Sequence, residues 1–344
     1  MEHIKNFMNY NLNQKINDEK VTWLIPVKNG MPFLRECLQS IYNQSYKNFE
    51  VIIWDNGSKD GTIEELKKWI PNKIPGQLIL NDPIDNLGKC REQLVNKSKT
   101  ELIALIDCDD INHKDRLKYQ VPMILSSNKI AGVGSYMKKI FQNGKFKQYE
   151  TLPCINSNVL KWQLLFRCPI YQPTMLIRKS MVLKAGNYNH LKSGQDYDLW
   201  FRLIQVGEIR TINKALIKYR ITSNSVSENN RKNWASLNFR LFQKYSKDFF
   251  ADYNQDTLNQ LWNSLSSHSI NKKTITTKVF IRCLYSFCKK NNIDIFSLLR
   301  SKILIKQFLK LQSSLINLNF ILFGIAILFK NKNFLIKQFL KEKI

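Results

Sequence analysis

Between Leu102 and Asp110 the chain reads LIALIDCDD, an apolar run that ends in three aspartates within four positions. A strand of this kind normally gives way to Gly, Asn or Pro. Carboxylates this close repel one another, at a cost in stability unless a cation sits among them. Two readings follow from the residues alone: a solvated acidic loop, or an oxygen-rich site for a hard cation. Comparable clusters stand elsewhere. Lys28 and Asn29 follow VTWLIPV, and Asp55, Asn56, Gly57 and Ser58 follow FEVIIW. Gly194-Gln195-Asp196-Tyr197-Asp198 places two more carboxylates at the start of a helix-like segment.

The elements that must position these groups have a regular order. Residues 21–27, 49–54, 77–81 and 101–107 are short β-branched apolar runs, separated by helix-like segments at 31–44, 60–70 and 87–98. This alternation predicts βαβ units on a mainly parallel sheet. Pro32 suits the first position of a helix, and Asp60, Gly61 and Thr62 offer a turn and cap ahead of IEELKKWI. Open sheets of this class bind ligands beyond the carboxyl ends of their strands, where the polar residues collect. From about Ala131 the pattern changes. A hairpin turning at Asn143-Gly144, a helix over SNVLKWQLLF, a strand in PTMLIRKS, a helix over DYDLWFRLIQ and a closing strand pair in EIRTINKALIKYRI are expected. Beyond Asn230 the chain turns helical, basic and aromatic, and LIKQFLK occurs at 304–310 and again at 335–341.

VTWLIPVKNGMPFLRECLQSIYNQSYKNFEVIIWDNGSKDGT resembles the opening of a family 2 glycosyltransferase, with its I-P-x-x-N, S-I-x-x-Q and D-x-G-S-x-D-G-T features at these intervals. NLGKCREQL is loosely similar to the family's N-x-G-x-x-x-A-R-N segment, and IDCDDINHKDRL closely to its D-x-D-D…D-R-L segment. QPTMLIRKSMVLKAGNYN, GQDYDLWFRL and KYRITSNSVS are similar to the acceptor-side and closing blocks. The likeness covers roughly residues 20–228. It implies the GT-A fold, a Rossmann-like α/β arrangement with a mixed, mainly parallel sheet flanked by helices. The organisation expected is a flexible segment 1–20, a catalytic domain 21–228 and a helical basic region 229–344.

The resemblance implies a nucleotide-sugar donor held at Pro26, Asn29, Asp55, Arg91, Asp107 and Asp109. Asp109 is the implied direct ligand of Mn2+ or Mg2+, with Asp107 facing the ribose or the metal's water shell. Such a cation acts as template and Lewis acid for the departing diphosphate. Arg91 reads alternatively as a surface helix residue, and Asp110 as a cap for the helix that follows. The family's general base is the last Asp of an E-D pair before a helix, which here is Asp196; Gln195 stands where the Glu would be. Gln195 and Trp200 are the candidate acceptor contacts, Trp200 being a sugar platform or simply core packing. Arg202 either forms an ion pair within the domain or touches the diphosphate. Arg220-Ile221-Thr222 lacks the histidine of the family's R-x-H block, and Gln172 stands where many members have His. No Q-x-x-R-W motif is present, which implies a single addition rather than processive synthesis.

Fifty-three Lys+Arg against 27 Asp+Glu give a net charge of +26. A surplus of this size points to an anionic partner. From Asn271 to Ile344 there are 15 Lys+Arg and two acids, so about half the surplus lies there. The basic residues sit among apolar ones rather than in a recognisable nucleic-acid motif, which argues against a nucleic-acid-binding protein. Leu315–Phe329, about 15 residues of which two are Asn, is shorter than the ~20 a spanning helix needs and suits in-plane or re-entrant membrane association, the alternative being a soluble helical subdomain packed on the catalytic core. Seven cysteines without C-x-x-C spacing and four scattered histidines show no zinc site or disulfide framework, which favours a reducing compartment. No secretory signal is visible at the N-terminus. The reading is an inverting enzyme, peripheral at the cytoplasmic membrane face, that adds one sugar to a glycan or lipid-linked acceptor of a bacterial surface polysaccharide such as lipopolysaccharide. The alternative is a nucleotide-sugar-binding pseudoenzyme or assembly partner. Donor sugar, acceptor linkage and oligomeric state are left open.

Overall fold

The computed structural model describes residues 16–80, 83–141, 146–148, 156–191, 193–222, 234–266 and 276–299, with Ser301, Leu304 and Gln307. The hairpin tip at Asn143-Gly144, the apolar stretch Leu315–Phe329 and the second LIKQFLK copy lie outside the described residues. The chain divides into two compact units, one of residues 1–157 with 169–229, the other of residues 158–168 with 230–344.

The first unit holds a nine-stranded sheet. Strands β1 (Val21–Val27), β2 (Phe49–Asp55) and β3 (Gly76–Leu80) are connected by helices α1 (Leu34–Tyr42) and α2 (Thr62–Trp69). Helix α3 (Leu87–Lys97) leads to β4 (Leu102–Leu105), and these four strands are mutually parallel in the order β3-β2-β1-β4. β1 is buried at six of seven positions and β4 at all four, as expected of strands covered on both faces. Their sequences are accordingly continuous apolar runs rather than alternating ones.

Helix α1 starts at Leu34, leaving Pro32 in the turn before it. The reason is local. The N–H groups of Gly30 and Met31 are taken by Thr62 Oγ1 (2.8 Å) and Asp60 Oδ2 (2.9 Å), so the chain is committed to the neighbouring loop before it can coil. Gly61 takes the N-cap position of α2 in the left-handed region (φ 87°), and Asp60 before it accepts from the Thr62 N–H and hydroxyl.

Past β4 the sheet becomes mixed. β5 (Ile111–Asn112), α4 (Arg116–Leu125), β6 (Ile130–Phe141), β7 (Phe146–Gln148), α5 (Ser157–Leu164), β8 (Leu176–Arg178), α6 (Lys179–Lys184), α7 (Gln195–Val206) and β9 (Glu208–Ile221) follow in the chain. The order β4-β8-β6-β9-β5 alternates direction except for the parallel β6–β9 pair, and β7 pairs with β6. The expected closing strand pair in EIRTINKALIKYRI is instead one 14-residue strand, β9. Its register against β6 jumps from Ser135↔Ile212 to Tyr136↔Ala215 and then to Met137↔Ile217. The polar Asn213-Lys214 step that reads as a turn is thus absorbed as a bulge.

In the second unit, residues 158–168 pack with helices α8 (Trp234–Ser246), α9 (Gln255–Leu265), α10 (Thr277–Lys290) and α11 (Ile295–Leu299). Trp162 is the hub. Its ring meets Phe166 and Phe287 at 5.1 Å and Phe280 at 6.0 Å, and its indole N–H donates to Gln307 (3.0 Å). The segment SNVLKWQLLF, expected inside the catalytic region, therefore joins the C-terminal helices. Among the described residues no helix is long and apolar enough to cross a membrane.

Candidate active site

The carboxyl ends of β1 and β2 lie side by side, with Val27 opposite Asp55. Asp55 is buried, and its Oδ1 accepts the N–H groups of Gly57 (3.1 Å) and Ser58 (3.0 Å). Its Oδ2 is buried without a hydrogen-bond partner. Gly57 turns the chain back through φ 79°, and a Cβ there would meet Pro83 at 2.7 Å. Asn29 is exposed and braces the two strand ends. Its N–H donates to Ser58 Oγ (2.8 Å) and its Oδ1 accepts from the Lys59 N–H (2.9 Å). Asn56 acts like a short piece of strand, accepting from Ile84 N–H (2.6 Å) and donating to Ile84 carbonyl oxygen (2.9 Å). A carboxylate could not make the second bond.

The three aspartates after β4 part company. Asp107 forms an ion pair with Arg91 at 3.1 Å. Asp109 carries a carboxyl pushed up to about 6, chiefly by burial and then by the charge of Asp107. Asp110 is fully buried, and its Oδ1 accepts the Arg220 N–H (2.8 Å). Its expected role as a helix cap is not found: α4 begins at Arg116 and Asp115 stands at its cap position. Burial, then Asp109 and Asp107, raise the Asp110 carboxyl well above the ordinary range. It holds the turn from beneath rather than facing a ligand.

Two arginines fix this turn from behind. Arg220 on β9 donates through Nε to the Asp109 carbonyl oxygen (2.9 Å), pairs with Glu36 (3.1 Å) and lies 4.3 Å over the Phe33 ring. Arg116 on α4 is fully buried and bonds to Gln120, Asn112 and the carbonyl oxygens of Leu105 and Met175 at 2.8–3.0 Å. It also lies 5.0 Å over the Trp23 ring. Burial pulls its guanidinium down to about 9. By clamping Leu105 it fixes the strand that delivers Asp107. In the sequence Arg116 stands out only as part of a D-R-L block; a lone arginine heading a helix gives no sign that it will be buried.

Arg91 is buried on α3 and is not a surface helix residue. With Pro26, Asp107, Gln172 and Tyr188 it lines one small cavity. Gln172 Nε2 donates to the buried Tyr188 hydroxyl (2.8 Å). Tyr188 was not anticipated, although it lies inside the GNYN block. Asp196 sits in the first turn of α7, whose N-cap position is Gly194 in the left-handed region (φ 73°). Burial raises its carboxyl, while the positive charge of Arg91 partly offsets this and Asp107 adds to it, so the three groups share one electrostatic neighbourhood. Gln195 is buried with Oε1 unpartnered. Trp200 is 0% exposed, which corrects its candidacy as a sugar platform: no ring face is open. Arg202 is an internal partner of Asp198 (2.8 Å), not of a diphosphate. His190 is engaged by Glu92 (2.8 Å), and His113 Nδ1 accepts the Asp115 N–H (3.1 Å).

Among the described residues no three His, Cys, Asp or Glu side chains gather as a metal-binding group. Asp107 and Asp109 are two carboxylates whose mutual repulsion is written into the raised Asp109 carboxyl. That donor set fits a cation such as Mg2+ or Mn2+ arriving with phosphate oxygens, which needs only one or two protein carboxylates.

Comparisons with known proteins bear on the family and the fold. The Glycosyl transferase family 2 model matches residues 22–185. The O-antigen biosynthesis glycosyltransferase WbnJ of Escherichia coli is 30% identical over 258 residues, which span 73% of this chain and 89% of WbnJ. An uncharacterized glycosyltransferase of Rickettsia felis is 30% identical over 209 residues, spanning 61% of this chain but 34% of that protein, so the match takes in about a third of its length. Residues 1-349 of S. aureus TarS, solved with UDP-GlcNAc, share the fold with a TM-score of 0.56 at 18% identity, over 86% of this chain and 90% of that one. The mannosyltransferase PcManGT of Pyrobaculum calidifontis, solved with GDP-Man and Mn2+, gives 0.53 at 13% identity, over 91% and 81%.

Proposed function

Because the chain belongs to glycosyltransferase family 2, we propose that it transfers one sugar, with inversion, from a nucleoside-diphosphate sugar to a hydroxyl of a glycan or lipid-linked acceptor in bacterial surface-polysaccharide synthesis. The observation that carries this reading is the shared neighbourhood of Asp107, Arg91 and Asp196. It joins a diphosphate-binding end to a carboxylate able to act as base. The donor nucleotide lies along Pro26, Asn29, Asp55, Arg91, Asp107 and Asp109. Asp109 and Asp107 hold Mn2+ or Mg2+, which supplies Lewis-acid stabilisation of the departing diphosphate.

Asp196 accepts the proton of the acceptor hydroxyl as that oxygen bonds to the anomeric carbon. The bond from this carbon to the diphosphate oxygen breaks on the opposite face, which inverts the configuration. A base raised above the usual carboxylate range is the stronger proton acceptor while it remains ionised. Gln195, neutral where the family has Glu, keeps the charge beside the base low. The basic residues of 271–344 hold the enzyme at the anionic inner face of the membrane.

A second reading, a nucleotide-sugar-binding assembly partner, is favoured by Thr222 and Gln195 in place of the family's His and Glu. Nucleotide release from UDP-, GDP- and dTDP-sugars, with Mn2+, Mg2+ or EDTA and an extract of lipid-linked acceptors, separates the two. Release lost with EDTA and in Asp196→Asn supports the enzyme. Tight donor binding without release in any combination supports the partner.

A further inference from the structure

Residues 185–191 lie between α3, which carries Arg91, and α7, which carries Asp196, and they are fastened to both. On the α7 side Asp198, two positions past Asp196, accepts from the Asn189 side-chain amide and pairs with Arg202. Arg202 also donates to the carbonyl oxygens of Ala185 and of Asn187 (2.7 Å). On the α3 side Asn86 donates to the His190 carbonyl oxygen (2.6 Å), His190 bonds to Glu92 (2.8 Å), and the Asn187 amide donates to Asn96 Oδ1 (3.1 Å). Gly88 lets the helix touch the segment's backbone: a Cβ there would lie 2.1 Å from the Asn189 carbonyl oxygen. Tyr188, in the middle, is buried against the cavity that Arg91 and Asp107 line.

We propose that residues 185–191 form a spacer of fixed width that sets the first turn of α7, and with it Asp196, against Arg91 and Asp107. Gly88, Asn189 and Asp198 are its positioning residues. The functional consequence rests on the reading of Asp196 as the base. The mechanical linkage does not. The α7-side fastenings, Asp198 and Arg202, stand two and six positions past Asp196, whereas those on the α3 side bracket Arg91. A side chain at Gly88 must move the Asn189 backbone, because a backbone oxygen has no rotamer by which to step aside. The displacement passes to Asp198 through the Asn189 amide.

The test uses the full-length protein as wild type, Gly88→Ala and Asn189→Ala. Amide hydrogen exchange over Tyr197–Leu199, affinity for UDP and GDP with Mn2+, nucleotide release and melting temperature are all measured. Gly88→Ala should speed exchange in that turn about tenfold although it lies on another helix. It should lower kcat about 10- to 100-fold, with nucleotide Kd held within about threefold. Asn189→Ala, which deletes the bond to Asp198 and the one accepted from the Leu191 N–H (3.2 Å) and adds no atoms, should do the same to a smaller extent and serves alone if Gly88→Ala does not fold. Unchanged exchange in α7 overturns the linkage whatever the activity. A parallel fall of kcat, affinity and melting temperature reduces the segment to ordinary packing and also overturns it. Equal turnover by wild type and Asp196→Asn would remove the base reading while leaving the exchange result to judge the spacer.

Discussion

Strands β3, β2, β1 and β4 run parallel and present their polar residues at their own carboxyl ends, whereas β8, β6, β9 and β5 run in both directions and act across the sheet. In the parallel half part of the support for a functional group is close in sequence. Asp55 is held by Gly57 and Ser58, and Asp60 by Thr62. Support that arrives from the mixed half is distant. Arg220 reaches the Asp109 carbonyl oxygen across 111 positions and Glu36 across 184. Local support makes a site robust to changes elsewhere. Distant support ties it to the integrity of the whole unit.

The largest effect is expected at Asp196, the proposed base. Asp196→Asn should cut turnover by about 10²–10⁴-fold while nucleotide binding survives, because only the mixed half is disturbed. Loss of nucleotide affinity in that variant would break the separation of the halves. In the proposed role of base Asp196 works ionised, and its carboxyl lies above the ordinary 3.8. Wild-type turnover should therefore fall, as pH is lowered, at a higher pH than an unperturbed aspartate would give, which a pH–rate profile reads directly.

Next in size, Arg116→Met leaves carbonyl and amide acceptors without their donor and should cost about 3–5 kcal/mol in urea unfolding. A smaller cost, about 1–3 kcal/mol by the same measurement, is expected of Asn56→Asp, which sets a carboxylate against the Ile84 carbonyl oxygen. The smallest effect concerns Glu65. Burial alone would raise its carboxyl, but the Trp69 N–H and Arg35 outweigh it and lower it below 4.5. Its contribution is present above the unfolded value and lost as pH falls through the folded one. Glu65→Gln should flatten the acid side of the stability curve by about 1 kcal/mol or less.

The same contrast decides what the sequence discloses. The parallel strands, their helices and the polar residues at their ends are legible because buried runs, turn residues and caps are all local signals. Asp107 and Asp109 are visible for that reason. Asp110 reads as a cap because its partner, the Arg220 N–H, arrives from β9. Trp200 looks like a platform because nothing in DYDLWFRL tells which side of α7 is covered. The bulge in β9 reads as a turn because Asn213-Lys214 is polar, and the pairing with β6 that overrides it is a long-range fact. Arg116 and Tyr188 give no signal short of the fold itself.

The dependence of the carboxylate turn on β9 bears on the order in which the protein is made. A nascent chain that has emerged only as far as Val206 already carries Asp107, Asp109, Asp110 and Asp196. It lacks the strand whose N–H and guanidinium hold two of those aspartates in place. Competence to bind a nucleotide should therefore arrive late in synthesis and abruptly, when Arg220 docks. A fragment ending before that residue should own the full set of acidic groups and yet behave as an empty scaffold.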